Sequence, residues 1–350
     1  MAHTDFADPL LAPDDGATLR LVSRGQPTTP RVSVCIVSHR RANEIERCLA
    51  DLAAQRTSEP FEVVLVLQAY PPGVPERLAA EFSAAFPLHV YHAAVGLGVH
   101  AARNAAVARS SGAIVAFLDD DVRVPPHWLD ALFPYYTDAS LGGVGGEVSH
   151  PESRRLTSRL IRPILALSAK RYRIDWGGFH AFPWSGHPAD DQEADWLSGC
   201  NMSFRRAALE QVGGFDEVYG AYGFDDVDVC VRLRDAGWRL LSTRRLAVQH
   251  FPSAINRQSL PRLVREEEAR RVRLVRRAIG HRTAWRVRYL ARFAYHLIAL
   301  TLQGIVRGHP ALAVSAIAGA RRGLALYGGG PPRGGETMLR AIDTADARPT

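Results

Sequence analysis

The sequence predicts an α/β fold: a mostly parallel sheet with helices on both faces. Three observations predict it. Residues 32–37, 61–67 and 114–118 are almost continuously apolar and rich in β-branched side chains. That is the pattern of strands buried on both faces; half-exposed strands alternate instead. Helical stretches separate these runs, and strands alternating with helices build parallel sheets. Polar residues follow the runs at 38–41, 68–70 and 119–121, the carboxyl ends where open α/β sheets hold ligands.

The elements follow in order. Residues 1–30 carry acids and prolines but no basic-then-apolar signal pattern, and read as a flexible leader. After the first strand and the turn Ser38-His39-Arg40-Arg41, Asn43 with Glu46 reads as a capping box opening a helix to about Gln55. Residues 76–86 are amphipathic, 88–92 form a short strand, and 98–109 an alanine-rich helix ahead of the strand at 114–118. Between His150 and Asp191 aromatics, glycines and prolines mix with basic residues. This reads either as a mobile insertion beside a site or as an ordinary surface excursion. Order resumes at Trp196. One helix spans 205–212 and stops at Gly213-Gly214, a second spans 225–236 and stops at Gly237, and 246–249 is a short strand.

Beyond Pro252 the composition changes. Residues 257–292 hold twelve arginines against three glutamates, Glu266, Glu267 and Glu268. An apolar stretch at 290–306 is interrupted by Arg292, His296 and Gln303, and a second runs from 311 to 326; both are short for a membrane span. Arginines beside short apolar helices suit an anionic membrane surface, and equally a basic helical hairpin packed on the main domain. From Gly328 the tail is rich in glycine and proline and reads as disordered. The expected organisation is therefore a leader (1–30), an α/β domain (31–252), a helical extension (253–327) and a tail (328–350).

Composition sets limits. The chain has 350 residues, 47% hydrophobic and 23% charged, which excludes disordered, collagen-like and disulfide-scaffold classes. Its net charge of +7 suits an anionic partner: nucleic acid, phospholipid or a phosphorylated small molecule. Lys170 is the sole lysine and no GxxxxGK[ST] occurs, so there is no P-loop, and Schiff-base chemistry has no suitable group. Cys35, Cys48, Cys200 and Cys230 form no CxxC pair; two lie in apolar runs that suit buried free thiols, and the usage fits a reducing cytoplasm. No aromatic platform or DNA-binding pattern accompanies the arginines, so nucleic acid is not expected as a partner.

The chemistry-bearing strings are acidic. Asp119, Asp120 and Asp121 close a buried strand, where adjacent carboxylates repel unless a cation or a shifted pKa relieves them. Mg²⁺ or Mn²⁺, which prefer oxygen ligands and share them with substrate phosphates, answers that need. Asp225, Asp226 and Asp228 open a helix. Asp225 and Asp228 fall on one helical face, while the helix dipole alone also favours acids there. The flexible aromatic run at 219–223 suits a sugar-facing surface. His250, after a short strand, is a ligand candidate in company with the acids.

Residues 31–252 together resemble a family 2 glycosyltransferase of the GT-A fold. The strings that carry the likeness occur in order: 32–37 with Ser38-His39-Arg40-Arg41; Gly98 with Arg103-Asn104; Phe117-Leu118-Asp119-Asp120-Asp121 with Pro125 and Trp128-Leu129; 196–206; Gly213-Gly214-Phe215-Asp216-Glu217; and 224–234 with Ala236-Gly237. The resemblance implies that Asp119 and Asp121 hold a divalent ion (Mg²⁺ or Mn²⁺) and, with Asp120, the ribose or diphosphate of a nucleotide-sugar. Ser38, Arg40 and Arg103 would line the nucleotide site. Asp226 would be the general base with Asp225 beside it, and His250 would approach the metal or diphosphate. It implies transfer from a nucleotide-diphosphate sugar to an acceptor hydroxyl by a single displacement with inversion. The acceptor would be a carbohydrate, a lipid-linked sugar or a small molecule, in the cytoplasm or at the inner face of the cell membrane. One departure is large: Leu67 and Gln68 stand where relatives carry base-contacting acids. Gln68 retains a donor and an acceptor for a base edge, so UDP is not implied over GDP or dTDP. Two alternatives stand beside this reading. One is a nucleotidyltransferase on a related sheet, for which the first turn lacks glycines; the other is a non-catalytic, membrane-associated nucleotide-sugar binder.

Overall fold

The computed structural model describes residues 18–26, 29–150, 172–180, 191–219, 223–252, 259–281 and 283–327. Among these, ten strands form one sheet: β1 (Leu19–Ser23), β2 (Val32–His39), β3 (Phe61–Gln68), β4 (Leu88–Ala93), β5 (Ile114–Asp119), β6 (Val122–Arg123), β7 (Leu141–Ser149), β8 (Gln192–Glu193), β9 (Asn201–Arg205) and β10 (Arg239–His250). The order is β1-β4-β3-β2-β5-β9-β7-β10-β6, with β8 also pairing β10. The helices are α1 (Ala42–Ala53), α2 (Val74–Phe82), α3 (Val99–Ala108), α4 (Trp128–Leu132), α5 (Arg206–Gln211), α6 (Asp225–Asp235), α7 (Leu260–Ile279), α8 (Trp285–Arg307) and α9 (Leu312–Tyr327).

The apolar runs have the expected cause. Along β2 and β3, Val34, Ile36, Val63 and Leu65 enter one core, while Cys35, Val64 and Val66 enter the core on the opposite face. Both faces are covered, so neither strand has a polar side. The polar interruptions satisfy each other: Ser33 and Glu62 are register partners, and the Ser33 hydroxyl donates to Glu62 at 2.6 Å. The four cysteines are free and buried.

The sheet is mixed rather than parallel throughout. The pairs β4–β3, β3–β2, β2–β5 and β7–β10 are parallel, but β9 runs antiparallel to both β5 and β7. Inserting β9 between two parallel blocks turns its start, at Gly199 and Asn201, toward the carboxyl end of β5.

Several boundaries move. Leu19–Ser23, inside the expected leader, is a strand at the sheet edge; its Leu19 pairs with Ala93 of β4. The first helix begins at Ala42 with Arg41 at its cap and no side-chain cap. The Asn43–Glu46 capping box does not form, because the Tyr70 hydroxyl accepts the Arg41 backbone N–H at 2.9 Å and Glu46 pairs with Arg77. The short strand expected at 246–249 is the end of the twelve-residue β10. Most of the stretch between His150 and Asp191, and the tail from Gly328, lie outside the described residues.

Part of the arginine-rich stretch faces inward, while Arg265, Arg286 and Arg288 are exposed. Arg273 and Arg277 both donate to Asp216 at 2.6 and 2.8 Å, and Arg277 also meets Asp228 at 2.7 Å. Arg270, buried, donates to the Tyr219 carbonyl at 2.9 Å, and Arg292 donates to Asp175 at 2.6 Å. The arginines of α7 thus fasten the helix to the sheet domain. Asp228 belongs to this fastening, since Tyr219 and Arg232 also donate to it; it does not join Asp225 at the site. No helix among the described residues is long and apolar enough to cross a membrane.

Candidate active site

The acidic turn after β5 is built by neutralising one carboxylate and aiming the other two. Asp120 is buried and receives the Ser38 hydroxyl proton; Tyr70 donates to the Ser38 oxygen at 2.6 Å, and the Arg41 backbone N–H completes the chain. The Arg41 guanidinium donates to Asp120 at 2.9 Å and to Asp121 at 3.1 Å. Burial pushes Asp120 up to about 7 against the pull of Arg41 and Ser38. Ser38 and Asp120 are therefore committed to shaping the turn.

Asp119, Asp121 and His250 converge. One ligand atom from each lies within 4.8 Å of the others. His250 ends β10, whose antiparallel pairing with β6 sets it against Val122, next to the turn. Its Nε2 sits 3.0 Å from Asp121 Oδ1. Burial works against the imidazolium, but the hydrogen bond to Asp121 and the charges of Asp121 and Asp119 outweigh it and raise the His250 pKa. Burial, opposed by Arg103, raises Asp119, and the charge of Asp121 adds to the rise. Two hard oxygen donors and one imidazole, in a pocket whose acids already demand positive charge, suit Mn²⁺ or Mg²⁺.

The second cluster approaches through Arg103. This side chain is buried on α3, whose alanines Ala102 and Ala106 let the helix lie against the sheet. Its guanidinium pairs with Asp225, donates to Asp119 at 3.1 Å and to the Gly199 carbonyl at 2.9 Å. It ties the two acidic clusters together. A Cβ at Gly199 would come within 3.1 Å of Arg103 Nη2 and 3.3 Å of Asp226 Oδ2, so the absent side chain leaves room for both. Its neighbour Asn104 brackets Phe215, accepting its N–H at 2.8 Å and donating to its carbonyl at 2.9 Å. The Arg-Asn pair thus anchors the site on one side and the loop before α6 on the other.

Asp225 and Asp226 diverge from adjacent positions. Phe224 caps α6 in the left-handed region, with φ 63°. Arg271 of α7 lies over its ring, 5.1 Å from the centroid. Burial opposes ionisation of Asp225, but Arg103 and then His100 hold its pKa below the ordinary value. Asp226 accepts the Gly199 N–H at 2.9 Å and the Val227 N–H at 2.8 Å. Burial, followed by the charge of Asp225, pushes Asp226 up to about 7. One acid stays ionised, while its neighbour is poised to exchange a proton.

Two expected residues stand elsewhere. Arg40, at φ 58°, points its Nε at the Ala69 carbonyl (3.3 Å) and stays exposed; Arg41 is the arginine that reaches the acids. Gln68 is buried and its side-chain oxygen accepts the Leu97 N–H at 2.7 Å, so its acceptor steadies the loop before α3. Sequence reasoning did not single out Arg41, Tyr70 and Gly199, which contact the acids, Ser38 or Arg103. It overlooked His150 too, whose ring lies 5.1 Å from that of His250. The signal available for Arg41 and Tyr70 was their position at the carboxyl ends of β2 and β3.

This fold and this site define a class, and comparison with known proteins bears it out. The chain belongs to glycosyl transferase family 2: the family's model matches residues 33–213. A second model, described as the N-terminal domain of galactosyltransferase, matches residues 189–255. Among solved structures it is similar to a mannosyltransferase from Pyrobaculum calidifontis in complex with GDP-Man and Mn²⁺. That likeness has a TM-score of 0.53 at 20% identity and covers 87% of this chain and 89% of that one. It is 28% identical over 240 residues to an N-acetylglucosaminyl-diphospho-decaprenol L-rhamnosyltransferase of Mycobacterium tuberculosis, covering 60% of this chain and 72% of that protein. It is also 28% identical over 239 residues to the O-antigen biosynthesis protein RfbC of Myxococcus xanthus, covering 65% of this chain. Two curated relatives are much longer, and the match spans only 25% and 18% of their length; with a third relative it spans 40%.

Proposed function

We propose that this chain is a metal-dependent, inverting glycosyltransferase that moves a sugar from a nucleotide-diphosphate donor to an acceptor hydroxyl. The observation that carries the reading is the Arg103 bridge. One buried guanidinium contacts Asp119, Asp225 and the Gly199 carbonyl, and the Gly199 N–H in turn holds Asp226. On this reading Arg103 holds the leaving-group end and the base end together, which supports a one-step displacement.

Asp119, Asp121 and His250 would hold the divalent ion, which when bound neutralises charge on the departing diphosphate. Arg41, Ser38 and Tyr70 keep the acidic turn in shape while charge builds beside it. Asp226 takes the acceptor's hydroxyl proton as that oxygen bonds to the anomeric carbon. The two backbone N–H groups orient its carboxylate, and a pKa near neutrality suits the task. Asp225, ionised and held by Arg103, is a positioning residue. In a single displacement no protein group bonds to the sugar, so each turnover inverts the anomeric centre once. The relatives support a nucleotide-sugar donor, and the rhamnosyltransferase's name supports a lipid-linked acceptor.

The direct test incubates the chain with a panel of UDP-, GDP- and dTDP-sugars, Mn²⁺ and a polyprenyl-diphosphate sugar. Released nucleoside diphosphate is measured and the product's anomeric configuration read by NMR. The reading expects nucleotide release that requires metal, and a product of inverted configuration. Retained configuration would discard the single displacement, and equal turnover in excess chelator would discard the metal.

A further inference from the structure

Helix α8 is apolar on two opposite sides. One side is internal, where Tyr289, Phe293, Ala299 and Leu300 are buried with the cores of α7 and α9. The other side faces solvent: Val287 is 66% exposed, Leu290 50%, Ile298 61%, Leu302 42% and Ile305 67%. At about 100° per residue these five positions, with exposed Ala291 and Ala294 between them, fall within roughly 120° of arc. The exposed Thr301 also lies in this arc, with its hydroxyl donating to the Leu297 carbonyl at 2.8 Å; an apolar stripe of this kind on the outside of a helix marks an interaction surface.

The charges say which kind. Residues 285–327 contain six arginines and no acid. Arg286 and Arg288 are exposed and sit on either shoulder of the stripe, and Trp285 opens the helix. On α9, exposed Val314, Ile317 and Leu326 stand beside exposed Arg321 and Arg322. A second copy of the chain would bring arginines face to face with no acid on either stripe to meet them. An anionic bilayer meets both demands: acyl chains for the stripe and lipid phosphates for the arginines. No helix among the described residues is both long and apolar enough to span, so the contact proposed is one of lying on the surface.

We propose that the solvent face of α8, aided by the arginines of α9, is a docking surface for an anionic phospholipid bilayer. Of the arginines of α7, which the sequence alone made the natural lipid contact, Arg270, Arg273 and Arg277 are spent on Asp216, Asp228 and Tyr219. The bilayer contact needs an exposed apolar stripe, which lies on the next helix. It does not depend on the transferase reading, because its readout is binding, without turnover.

The test is flotation of the full chain with vesicles of phosphatidylcholine alone, and of phosphatidylcholine and phosphatidylglycerol in equal parts. Wild type is expected to float with the anionic vesicles and, much less, with the neutral ones. The Leu290→Glu/Ile298→Glu double variant is expected to lose binding by about tenfold or more. Arg286→Gln/Arg288→Gln is expected to lose about fivefold per arginine on anionic vesicles only. Circular dichroism on each variant confirms that the fold persists, as exposed sites should allow. Wild type left behind by both vesicles overturns the proposal, as does a double variant that floats as well as wild type. A wild-type dimer in light scattering that the double variant turns into monomer would make the stripe a self-contact, and also overturns it.

Discussion

At the end of β5 and at the start of α6 aspartates stand side by side, yet the two places treat them differently. After β5 three acids are reduced to two: Arg41 and Ser38 absorb Asp120, and Asp119 and Asp121 are aimed, with His250, at one point. At α6 two acids are separated: Arg103 holds Asp225 ionised, while Asp226, left with only backbone donors, drifts toward neutrality. Like charges placed together must be paired, protonated or given a cation. The first turn gathers two carboxylates and an imidazole, donors of the kind a divalent cation takes, and the second leaves one carboxyl with its pKa pushed up to about 7. Arg103 is the link that makes them one site.

The largest effect should come from Asp226→Asn, which breaks the comparison at its proton-exchanging end. Transfer is expected to fall by about 10²–10⁴-fold, the worth of a general base. The fold should not suffer. Because the folded-state pKa of Asp226 is raised from 3.8 to about 7, ionising it costs stability. The variant's gain in melting temperature should therefore be absent near pH 4, grow toward pH 7 and level off above. In the wild type, transfer should rise as pH climbs through the neutral range, and this limb should vanish in the variant. A variant with full turnover would remove the proposed base.

Asp121→Asn attacks the other end. Transfer is expected to drop roughly a hundredfold or more, as losing several kcal/mol of charge stabilisation implies. The Mn²⁺ concentration needed for half-maximal rate should rise at the same time, and added chelator should imitate the variant in wild type. Arg103→Met cuts the link. It leaves Asp225 buried without its cation, and denaturant melts should show a loss of about 3–5 kcal/mol. The smallest effect is expected from Asp120→Asn. Its amide oxygen still accepts the Ser38 proton, so stability should stay within about 1 kcal/mol and transfer should change only modestly. A collapse of transfer there would move Asp120 from the scaffold into the chemistry.

Legibility in the sequence followed physical range. The strands of 32–37, 61–67 and 114–118 were readable because burial on both faces writes itself as an unbroken apolar run. The acids were readable because their crowding is costly without a purpose. β1 was not readable: five residues at a sheet edge carry almost no pattern, and only β4 beside them makes a strand of Leu19–Ser23. Nor was the choice between Arg40 and Arg41. Two adjacent arginines look alike in sequence, and the left-handed backbone at Arg40 sends one outward and the other to Asp120 and Asp121. Asp228 shows the same limit. Spacing put it on a face with Asp225, but the helix turns it toward Tyr219, Arg232 and Arg277.

The sequence by itself determined the α/β class, the family and the two acidic strings, because periodicity and local charge crowding are properties of neighbouring residues. The tertiary structure decided which carboxylate is paired, which is aimed and which keeps its proton. It also decided that Arg270, Arg273 and Arg277 of α7 face the protein while the apolar stripe of α8 faces out. Those outcomes depend on partners 16 to 122 positions away along the chain, such as Asp119 and Asp225 for Arg103, and no local pattern can encode a charge's distance from a partner that only folding brings near.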